Sequence, residues 1–425
     1  MSQTVLRRRS LTAVGIYSAT VFGFATSVVA TKVLGAGDYA RYATVIATVG
    51  FFQLLLDLTI DEALIKYGFR YSTTEDWGRL RRLFDVALVT KVTGGGLGML
   101  ITLALAPLSS VFWPGQHLFW PLVIGAFVPL AQAPEGVAGV ALLLRGRYDI
   151  RGGFYAVSMS LRLLGTGLGC IWGVTTALAG LLVAQVVATA AISVVGVAAF
   201  RRFPSAPASP LAADGRDVRS FVFQSSVASS LTSLRGLLGT MLIGALAPFR
   251  QAGYFRNAQA PLTAFGALSS PARLVLLAEQ TADYERGDRA RVLRLLRRYI
   301  VGTTLLMLVV VPIGWVLMPW LMQVVYSHEF RVHATDAARI VLIVGALQII
   351  FGWSKTLPVT IGRPGLRILT HAIEVAVFIP TMVVFAILWG ATGGALALLA
   401  STVAFCLAWA ILLARLRHEI RTVPS

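Results

Sequence analysis

The sequence predicts an all-α integral membrane protein with about 12 transmembrane helices in two six-helix bundles. Of its 425 residues, 56% are hydrophobic and only 13% are charged, whereas a soluble domain is about 25% charged. The mean hydropathy is +0.76. Basic residues fall in short clusters between long apolar runs. This alternation is typical of a chain that crosses a membrane many times.

Each predicted span is an apolar run of the length needed to cross the hydrocarbon layer, about 20 residues. The first run, from Leu11 to Leu34, follows three arginines. It is longer than a signal-peptide core of about 7–15 residues, so it indicates an uncleaved helix. The spans are predicted at 11–34, 42–65, 83–106, 119–144, 153–173, 177–200, 219–245, 253–278, 299–320, 337–359, 366–389 and 393–414.

The basic residues predict the direction of each span. With both termini in the cytoplasm, most of the 37 Lys and Arg residues fall in cytoplasmic segments, as the positive-inside rule requires. The loop at 107–120 lacks basic residues and lies outside. We therefore predict a multi-pass protein of the cytoplasmic membrane. The net charge of +18 reflects topology and attraction to anionic lipids, and not nucleic-acid binding, because no soluble basic domain is present.

A polar segment after the sixth span divides the chain. The stretch RRFPSAPASPLAADGRDVRS at 201–220 is rich in Pro, Ala and Ser, a composition typical of linkers. We predict an N-terminal bundle at 1–200, a cytoplasmic linker at 201–218 and a C-terminal bundle at 219–425. Both halves place Tyr-X-Arg after a glycine, at 39–41 and 254–256. Two halves of six spans would be parallel repeats.

Several stretches resemble a known family of membrane proteins. They are TKVLGAGDYARYATVIA at 31–47, LLDLTIDEALIKYG at 55–68, LLRGRYDIRGGFYAVSMSLRLLG at 143–165, YFRNAQAPLTAFGALSSPARLVLLAEQ at 254–280 and IGRPGLRI at 361–368. The chain resembles the Wzx-type flippases of lipid-linked oligosaccharides, the polysaccharide-transport branch of the multidrug/oligosaccharidyl-lipid/polysaccharide exporter (MOP) superfamily. One departure is Thr59, where this family more often has glycine.

The resemblance implies a V-shaped transporter with a central cavity that works by alternating access. Its substrate would be a polyprenyl-pyrophosphate-linked glycan, carried from the cytoplasmic to the outer leaflet. No cofactor is expected, and Na⁺ or H⁺ would be the coupling ion. Partners would be membrane lipids, a polysaccharide polymerase and glycosyltransferases, with no nucleic acid.

Basic residues inside the predicted spans are the candidates for substrate binding. Arg162, Arg235 and Lys91 lie near mid-depth of their spans, where a charge normally faces a cavity or a partner. A guanidinium also fits a phosphate in bidentate fashion. We expect them to bind the pyrophosphate or an acidic sugar; alternatively, they pair with intramembrane carboxylates. Arg256 and Arg273 are further candidates that could instead snorkel to an interface.

Four charged residues are candidates for gates. Asp57 and Asp61 lie four residues apart in the second span, toward its cytoplasmic end. They would form a gate that closes the cytoplasmic opening of the cavity. Alternatively, they would bind a coupling cation, because two neighbouring carboxylates raise the pKa of one of them, or they would simply be solvated at this opening. Lys32 and Arg41 flank the outer end of the first hairpin. They would form an outer gate or anchor the hairpin at the interface.

The remaining carboxylates of the spans have separate predicted roles. Glu62 is expected to pair with Lys66 at i, i+4. Glu135 follows Pro134, which frees a backbone carbonyl, and is a candidate ion-coupling site or a partner for a buried cation. Glu374 is a second ion-coupling candidate. No His or Cys spacing predicts a metal site.

Four functions are compatible with a chain of this kind. The flippase is favoured, and a cation-coupled multidrug exporter of the same fold is the alternative. A polysaccharide polymerase or ligase would need a large outer loop, and the outer loop at 327–336 is short. A cell-wall lipid flippase usually has additional spans. The basic stretch at 285–298 predicts an amphipathic helix lying on the inner leaflet.

Overall fold

The part of the chain that the structure describes is almost entirely helical. A computed structural model describes residues 3–56, 59–211, 214–286, 288–361, 363 and 365–422. No β-strand occurs among these residues, which confirms the all-α fold class. The chain divides into two compact units, Met1–Leu238 and Gly239–Ser425. The bundle limits expected from the sequence, 1–200 and 219–425, stay predictions.

The first unit contains seven complete helices and the first part of an eighth. They are α1 (Gln3–Leu56), α2 (Ile60–Thr73), α3 (Trp77–Phe112), α4 (Phe119–Gly125), α5 (Phe127–Leu144), α6 (Tyr148–Cys170), α7 (Val174–Phe200) and α8 (Asp214–Leu246). The second unit contains α9 (Arg250–Ala258), α10 (Ala260–Glu285), α11 (Arg289–Val325), α12 (His328–His333), α13 (Thr335–Ile350), a 3₁₀ turn (Gly352–Lys355), α14 (Leu357–Thr360) and α15 (Gly365–Thr422).

Six helical segments of the described chain are long and apolar enough to cross a membrane. They are Tyr17–Leu56, Trp77–Phe112, Phe119–Leu144, Val174–Phe200, Arg289–Val325 and Gly365–Arg415. The first and the last each contain a break, at Gly35 and Gly390, so each comprises two successive helices. Other predicted spans fall on shorter helices such as α13 or on more polar ones such as α6. The chain is thus a multi-pass membrane protein, as predicted.

Gly35 forms the turn between the first two predicted spans. Its φ of 70° and ψ of 173° are readily accessible only to glycine. Close to this turn, the buried Tyr39 hydroxyl lies 2.9 Å from Ser27 Oγ, and Arg41 pairs with Asp38 at 2.9 Å. The first two spans therefore form a hairpin with its turn at Gly35, and the contact between Ser27 and Tyr39 joins its two helices.

The second predicted span is interrupted. Helix α1 ends at Leu56 and α2 begins at Ile60, and the gate candidate Asp57 lies outside the described residues. The break exposes backbone groups that hydrocarbon cannot satisfy. Ser226 of α8 satisfies one of them, because its Oγ accepts from the Thr59 N–H at 2.9 Å. Thr59, the residue that departs from the family pattern, thus lies at the break between α1 and α2.

The expected pair of Glu62 and Lys66 does not form among the described residues. Glu62 instead accepts a hydrogen bond from Ser225 of α8. The Lys66 ammonium lies over the Phe221 ring, 4.5 Å from its centroid. The expectation was wrong because α8 supplies both partners from a distant part of the sequence. An i, i+4 pair on an isolated helix gains only about 0.5 kcal/mol.

Helices α6 and α7 approach each other closely at two glycines. A Cβ on Gly165 would strike the backbone of Gly180, and a Cβ on Gly180 would strike that of Gly165. Small residues of this kind let membrane helices pack backbone to backbone. The contact holds α6, which carries two of the charged residues described below, against α7.

The basic stretch at 285–298 does not form a separate surface helix. Most of it is the start of α11, which continues through 37 residues to Val325. At about 1.5 Å per residue, α11 is longer than the hydrocarbon layer of about 30 Å. The basic first turns of α11 are therefore part of the same continuous helix as the membrane-spanning segment. Asp288 caps the helix by accepting from the Arg291 N–H at 2.9 Å.

The predicted linker is attached to the first unit. Phe203 lies against Trp77, with ring centroids 5.6 Å apart, and the Ser209 N–H donates to the Gly78 carbonyl at 3.1 Å. Where α8 begins, Asp214 accepts a hydrogen bond from the Tyr71 hydroxyl at 3.0 Å. The segment is thus fastened at both ends to the start of α3 and the end of α2.

Candidate functional site

The candidate site is a polar cavity inside the first unit. Its volume is about 150 Å³. The wall is formed by α1, α2, α3, α5, α6 and α7, and its polar and charged members are Gln53, Asp61, Lys91, Gln132, Glu135, Arg151 and Tyr155. A cavity that collects charged side chains among apolar helices is the default candidate for a binding site in a membrane protein.

Asp61 and Lys91 form the first ion pair of the cavity. Lys91 Nζ lies 2.9 Å from Asp61 Oδ2, and the two side chains are 7% and 30% exposed respectively. Asp61 stands in the first turn of α2, where the helix dipole favours a carboxylate. Asp61 Oδ1 is buried without a hydrogen-bond partner among the described residues. One carboxylate oxygen is thus satisfied and the other is available.

Glu135, Arg162 and Gln185 form a second cluster. Arg162 Nη2 lies 3.8 Å from Glu135 Oε2, and Gln185 Nε2 donates to the same oxygen at 2.8 Å. Gln185, on α7, is fully buried and also donates to Thr189 at 2.8 Å. The buried Nε of Arg162 and Oε1 of Gln185 have no partner among the described residues. The cluster therefore has one N–H donor, on Arg162, and one carbonyl acceptor, on Gln185, that could bind a ligand.

Two glycines of α5 make room for the charges. A Cβ on Gly136 would stand 2.5 Å from Asp61 Oδ2, and one on Gly139 would stand 3.3 Å from Arg151 Nε. The stretch PEGVAG at 134–139 thus supplies one carboxylate and two notches, which receive side chains from α2 and α6. Sequence reasoning identified Glu135 in this stretch and missed the glycines.

Neutral polar groups complete the wall. Gln53 Nε2 donates to Gln132 Oε1 at 3.2 Å. Amide and hydroxyl groups suit hydrogen bonding to a polar, uncharged ligand, while the ion pairs suit a charged one. The cavity can therefore interact with both parts of a charged and hydroxylated headgroup.

Arg151 is a lining residue that sequence reasoning missed, because it lies just before the span predicted at 153–173. It lies on the first turn of α6, and its guanidinium carbon is 5.8 Å from the centroid of the Tyr155 ring. The available signal was the i, i+4 spacing of Arg151 and Tyr155, which places both on one face of a helix.

The structure brings three of the predicted site residues to the cavity wall and a fourth next to it. Asp61, Lys91 and Glu135 line the cavity, and Arg162 reaches it through Glu135. Arg235, on α8, is buried at 6% exposure. It does not line this cavity.

Three further candidates that the structure describes do not line this cavity. Lys32 is exposed, and Arg41 pairs with Asp38. Arg256, on α9 in the second unit, is partly buried. The side chain of Arg273 lies outside the described part of the chain.

Glu374 belongs to a separate buried pair in the second unit. His371 Nδ1 lies 2.8 Å from Glu374 Oε2, and the side chains are 5% and 2% exposed. The His371 ring stacks on Phe405, with centroids 5.1 Å apart. Among the described residues, no cluster of three or more His, Cys, Asp or Glu side chains could hold a metal ion.

Comparison with solved structures identifies the fold. The fold is similar to an inward-facing multidrug resistance MATE family transporter of the MOP superfamily, with a TM-score of 0.78, 13% identity and 96% of each chain covered. It is also similar to the lipid II flippase MurJ in an inward closed conformation, with a TM-score of 0.71, 14% identity, and 95% of this chain and 87% of the other covered. These likenesses show a MOP transporter fold.

A further solved structure has the same fold. It is a MOP superfamily transporter from Pyrococcus furiosus, with a TM-score of 0.64, 13% identity, and 99% of this chain and 96% of the other covered. No curated protein sequence matches the chain significantly.

The family follows from the sequence. The family model described as "Polysaccharide biosynthesis protein" matches residues 5–277, which is more than half of the 425 residues. The chain belongs to this family. Its fold is that of solved MOP superfamily transporters, and the family resemblance stated from its sequence is confirmed.

Proposed function

We propose that the protein is a flippase for a polyprenyl-pyrophosphate-linked oligosaccharide, a precursor of a cell-surface polysaccharide. It moves the polar head from the cytoplasmic to the outer leaflet by alternating access, while the lipid tail stays in the bilayer. The observation that carries the proposal is the pair of charge clusters, Asp61–Lys91 and Glu135–Arg162, at one cavity of the first unit. The family description supports a role in polysaccharide biosynthesis.

The two clusters suggest how transport is coupled to an ion. An anionic headgroup competes with Asp61 for Lys91 and with Glu135 for Arg162, because each cation interacts more strongly with the closer and less solvated anion. A carboxylate released from its cation in a low-dielectric site is costly. It then binds Na⁺ or H⁺, which links ion uptake to headgroup binding. The headgroup thus takes the place of the carboxylate beside the basic residue, and the coupling ion takes the place of the basic residue beside the carboxylate.

The other candidates have roles in this scheme. Arg235, Arg256 and Arg273 bind the headgroup at other stages of the cycle. Asp57 and Asp61 close the inner mouth, and Lys32 and Arg41 close the outer one. Glu374, paired with His371, is a second site of ion coupling.

Location and partners follow from the same proposal. The termini face the cytoplasm, and the protein resides in the cytoplasmic membrane, as the distribution of basic residues favours. Glycosyltransferases supply the substrate on the inner side, and a polysaccharide polymerase consumes it on the outer side.

A cation-coupled multidrug exporter is the second candidate. The observation that favours it is the presence of two carboxylates, Asp61 and Glu135, on the cavity wall, since acidic groups attract cationic drugs. Two of the similar structures are described as multidrug resistance transporters. The two candidates differ in the charge of the cargo.

A reconstituted assay tests the proposal. Purified protein is placed in liposomes that hold a fluorescent polyprenyl-pyrophosphate oligosaccharide, and its access to an impermeant quencher is followed with and without a Na⁺ or H⁺ gradient. The variants are Arg162→Ala and Arg235→Ala, and the matched control is Arg298→Ala, which removes an exposed arginine near the start of α11. We expect transfer by the wild type and the control, with a loss of at least about tenfold in Arg162→Ala.

The outcomes separate the two candidate functions. Ethidium efflux from the same liposomes is measured in parallel. Transfer of the labelled lipid without ethidium efflux supports the flippase. Ethidium efflux with no lipid transfer in either gradient would replace the flippase by the multidrug exporter.

A further inference from the structure

The charges on the cavity wall are unequally engaged. Four charged residues line the cavity. Asp61 and Lys91 bind each other at 2.9 Å, and Glu135 receives Arg162 and Gln185. Arg151, the remaining lining cation, has no side-chain hydrogen bond or ion pair in the described residues. The wall thus presents one guanidinium that is not held by a carboxylate.

Arg151 is nevertheless held in place. Its Nε lies in the notch over Gly139, where a Cβ would come within 3.3 Å. Its guanidinium also lies near the ring of Tyr155, one helical turn further along α6. A cation over an aromatic ring gains about 0.5–1 kcal/mol, and this contact leaves the edge of the guanidinium fork unoccupied. The position of the side chain is therefore set without using its N–H donors.

An unengaged guanidinium has a specific chemical preference. Its planar fork matches two oxygens of a phosphate or a carboxylate, and these charge-assisted bonds are shorter and stronger than neutral ones. Partial burial removes some of the water that would otherwise compete for these donors. The nearby amides of Gln53 and Gln132 are suited to hydroxyl groups adjoining such an anion.

We propose that Arg151 is the anion-binding residue of this cavity. It binds an oxyanion of the headgroup, while Lys91 and Arg162 stay paired with their carboxylates until the ligand is inside. This inference rests on the proposed function and deepens it. It assigns recognition of the anion to Arg151, at the start of α6, and not to Lys91 and Arg162, which lie near the middle of their spans. The oxyanion is a phosphate of the lipid carrier or the carboxylate of an acidic sugar.

Equilibrium binding to the full-length protein in detergent tests this assignment without requiring transport. The probes are geranyl pyrophosphate for the phosphate and glucuronic acid for the carboxylate, each titrated by calorimetry. The variants are Arg151→Gln, Arg151→Lys and Gly139→Val. The matched control, Arg202→Gln, makes the same change of charge at an exposed arginine after α7. The midpoint of thermal unfolding reports whether each variant is folded.

We expect one of the two probes to lose binding affinity by an amount that differs among the variants. Arg151→Gln weakens binding by about 10- to 100-fold, the range of a hydrogen-bonded charge. Arg151→Lys recovers part of this loss, because a lysine keeps the charge and loses the fork. Gly139→Val weakens binding because its side chain fills the notch, and Arg202→Gln binds as the wild type does. The probe that shows this pattern identifies the oxyanion.

Two outcomes would overturn the assignment. One is unchanged binding in Arg151→Gln together with a loss in Lys91→Gln or Arg162→Gln, which would return recognition to the paired cations. The other is no binding of either probe by folded wild-type protein. The transport assay is independent: specific binding through Arg151 without lipid transfer would contradict the flippase and leave the anion site standing.

Discussion

Gly136 of α5 faces the carboxylate of Asp61 so closely that a Cβ at this glycine would stand 2.5 Å from Asp61 Oδ2. The same carboxylate binds Lys91 at 2.9 Å. The absence of a side chain at Gly136 is therefore a condition for the first ion pair of the cavity. Three helices, α2, α3 and α5, meet at this point, and a change at any of the three residues disturbs the other two.

Substitution of Gly136 by alanine should displace the Asp61 carboxylate. We expect a loss of stability of about 1–3 kcal/mol, typical of overpacking, and a strong loss of transport. The matched control is Gly153→Ala on α6, where a Cβ would meet nothing within 4 Å. Thermal unfolding in detergent and the liposome assay measure both effects. Equal behaviour of the two variants would contradict the close packing of Gly136 on Asp61.

The Asp61–Lys91 pair should show energetic coupling. Asp61→Asn and Lys91→Met each break this ion pair and keep one of its two charges next to the cavity, and this is more costly than removing both charges. The double variant should therefore be more stable than the sum of the single effects predicts, by about 0.5–3 kcal/mol. A double-mutant cycle of unfolding free energies measures the coupling. Strict additivity would show that the two charges do not interact.

Gln185 should support Glu135 more than it supports Thr189. Gln185→Leu removes a donor from a carboxylate, and hydrogen bonds to charged groups contribute about 1.5–3 kcal/mol. Thr189→Val removes only a neutral acceptor and leaves the bond from Gln185 to Glu135 at 2.8 Å. We expect the first variant to lose more stability and more transport. Thermal unfolding compares them, and the reverse order would refute this role of Gln185.

Tyr71 should make the first unit sensitive to high pH. Burial and the hydrogen bond to Asp214 raise the pKa of Tyr71 to about 12 from its usual value of 10.0. Because the folded-state pKa is the higher one, the folded protein retains this proton above pH 10. Its stabilising effect is present below pH 10 and is lost as the pH rises from 10 to about 12.

Thermal unfolding of the wild type and Tyr71→Phe at a series of pH values measures this effect. The stability difference between them should shrink between pH 10 and 12, because phenylalanine has no proton to lose. Arg70 and Arg79, which also contact Asp214, stay charged in this range. A difference that is constant up to pH 12 would mean that the Tyr71 hydroxyl does not stabilise the fold through Asp214.

Much of the fold follows from local properties of the sequence. Apolar runs of about 20 residues make helices in a bilayer, since no other element satisfies its own backbone there. Gly35, in the stretch LGAG at 34–37, forms the first turn because glycine readily adopts a positive φ. The stretch FPSAPASP after α7 ends the helical pattern. Such features depend on neighbours in the sequence, so they are visible before the chain is folded.

The sequence by itself determined that this protein is a helical, multi-pass membrane protein of the polysaccharide biosynthesis family, with charged residues inside its spans. Only the tertiary structure decided how those charges are used. Lys91 meets Asp61, Glu62 meets Ser225 instead of Lys66, and Arg151 stays unengaged while Arg162 is paired. The physical reason is that pairing depends on the relative rotation and depth of packed helices. A shift of one residue turns a side chain by about 100°, and its new partners lie far away in the sequence.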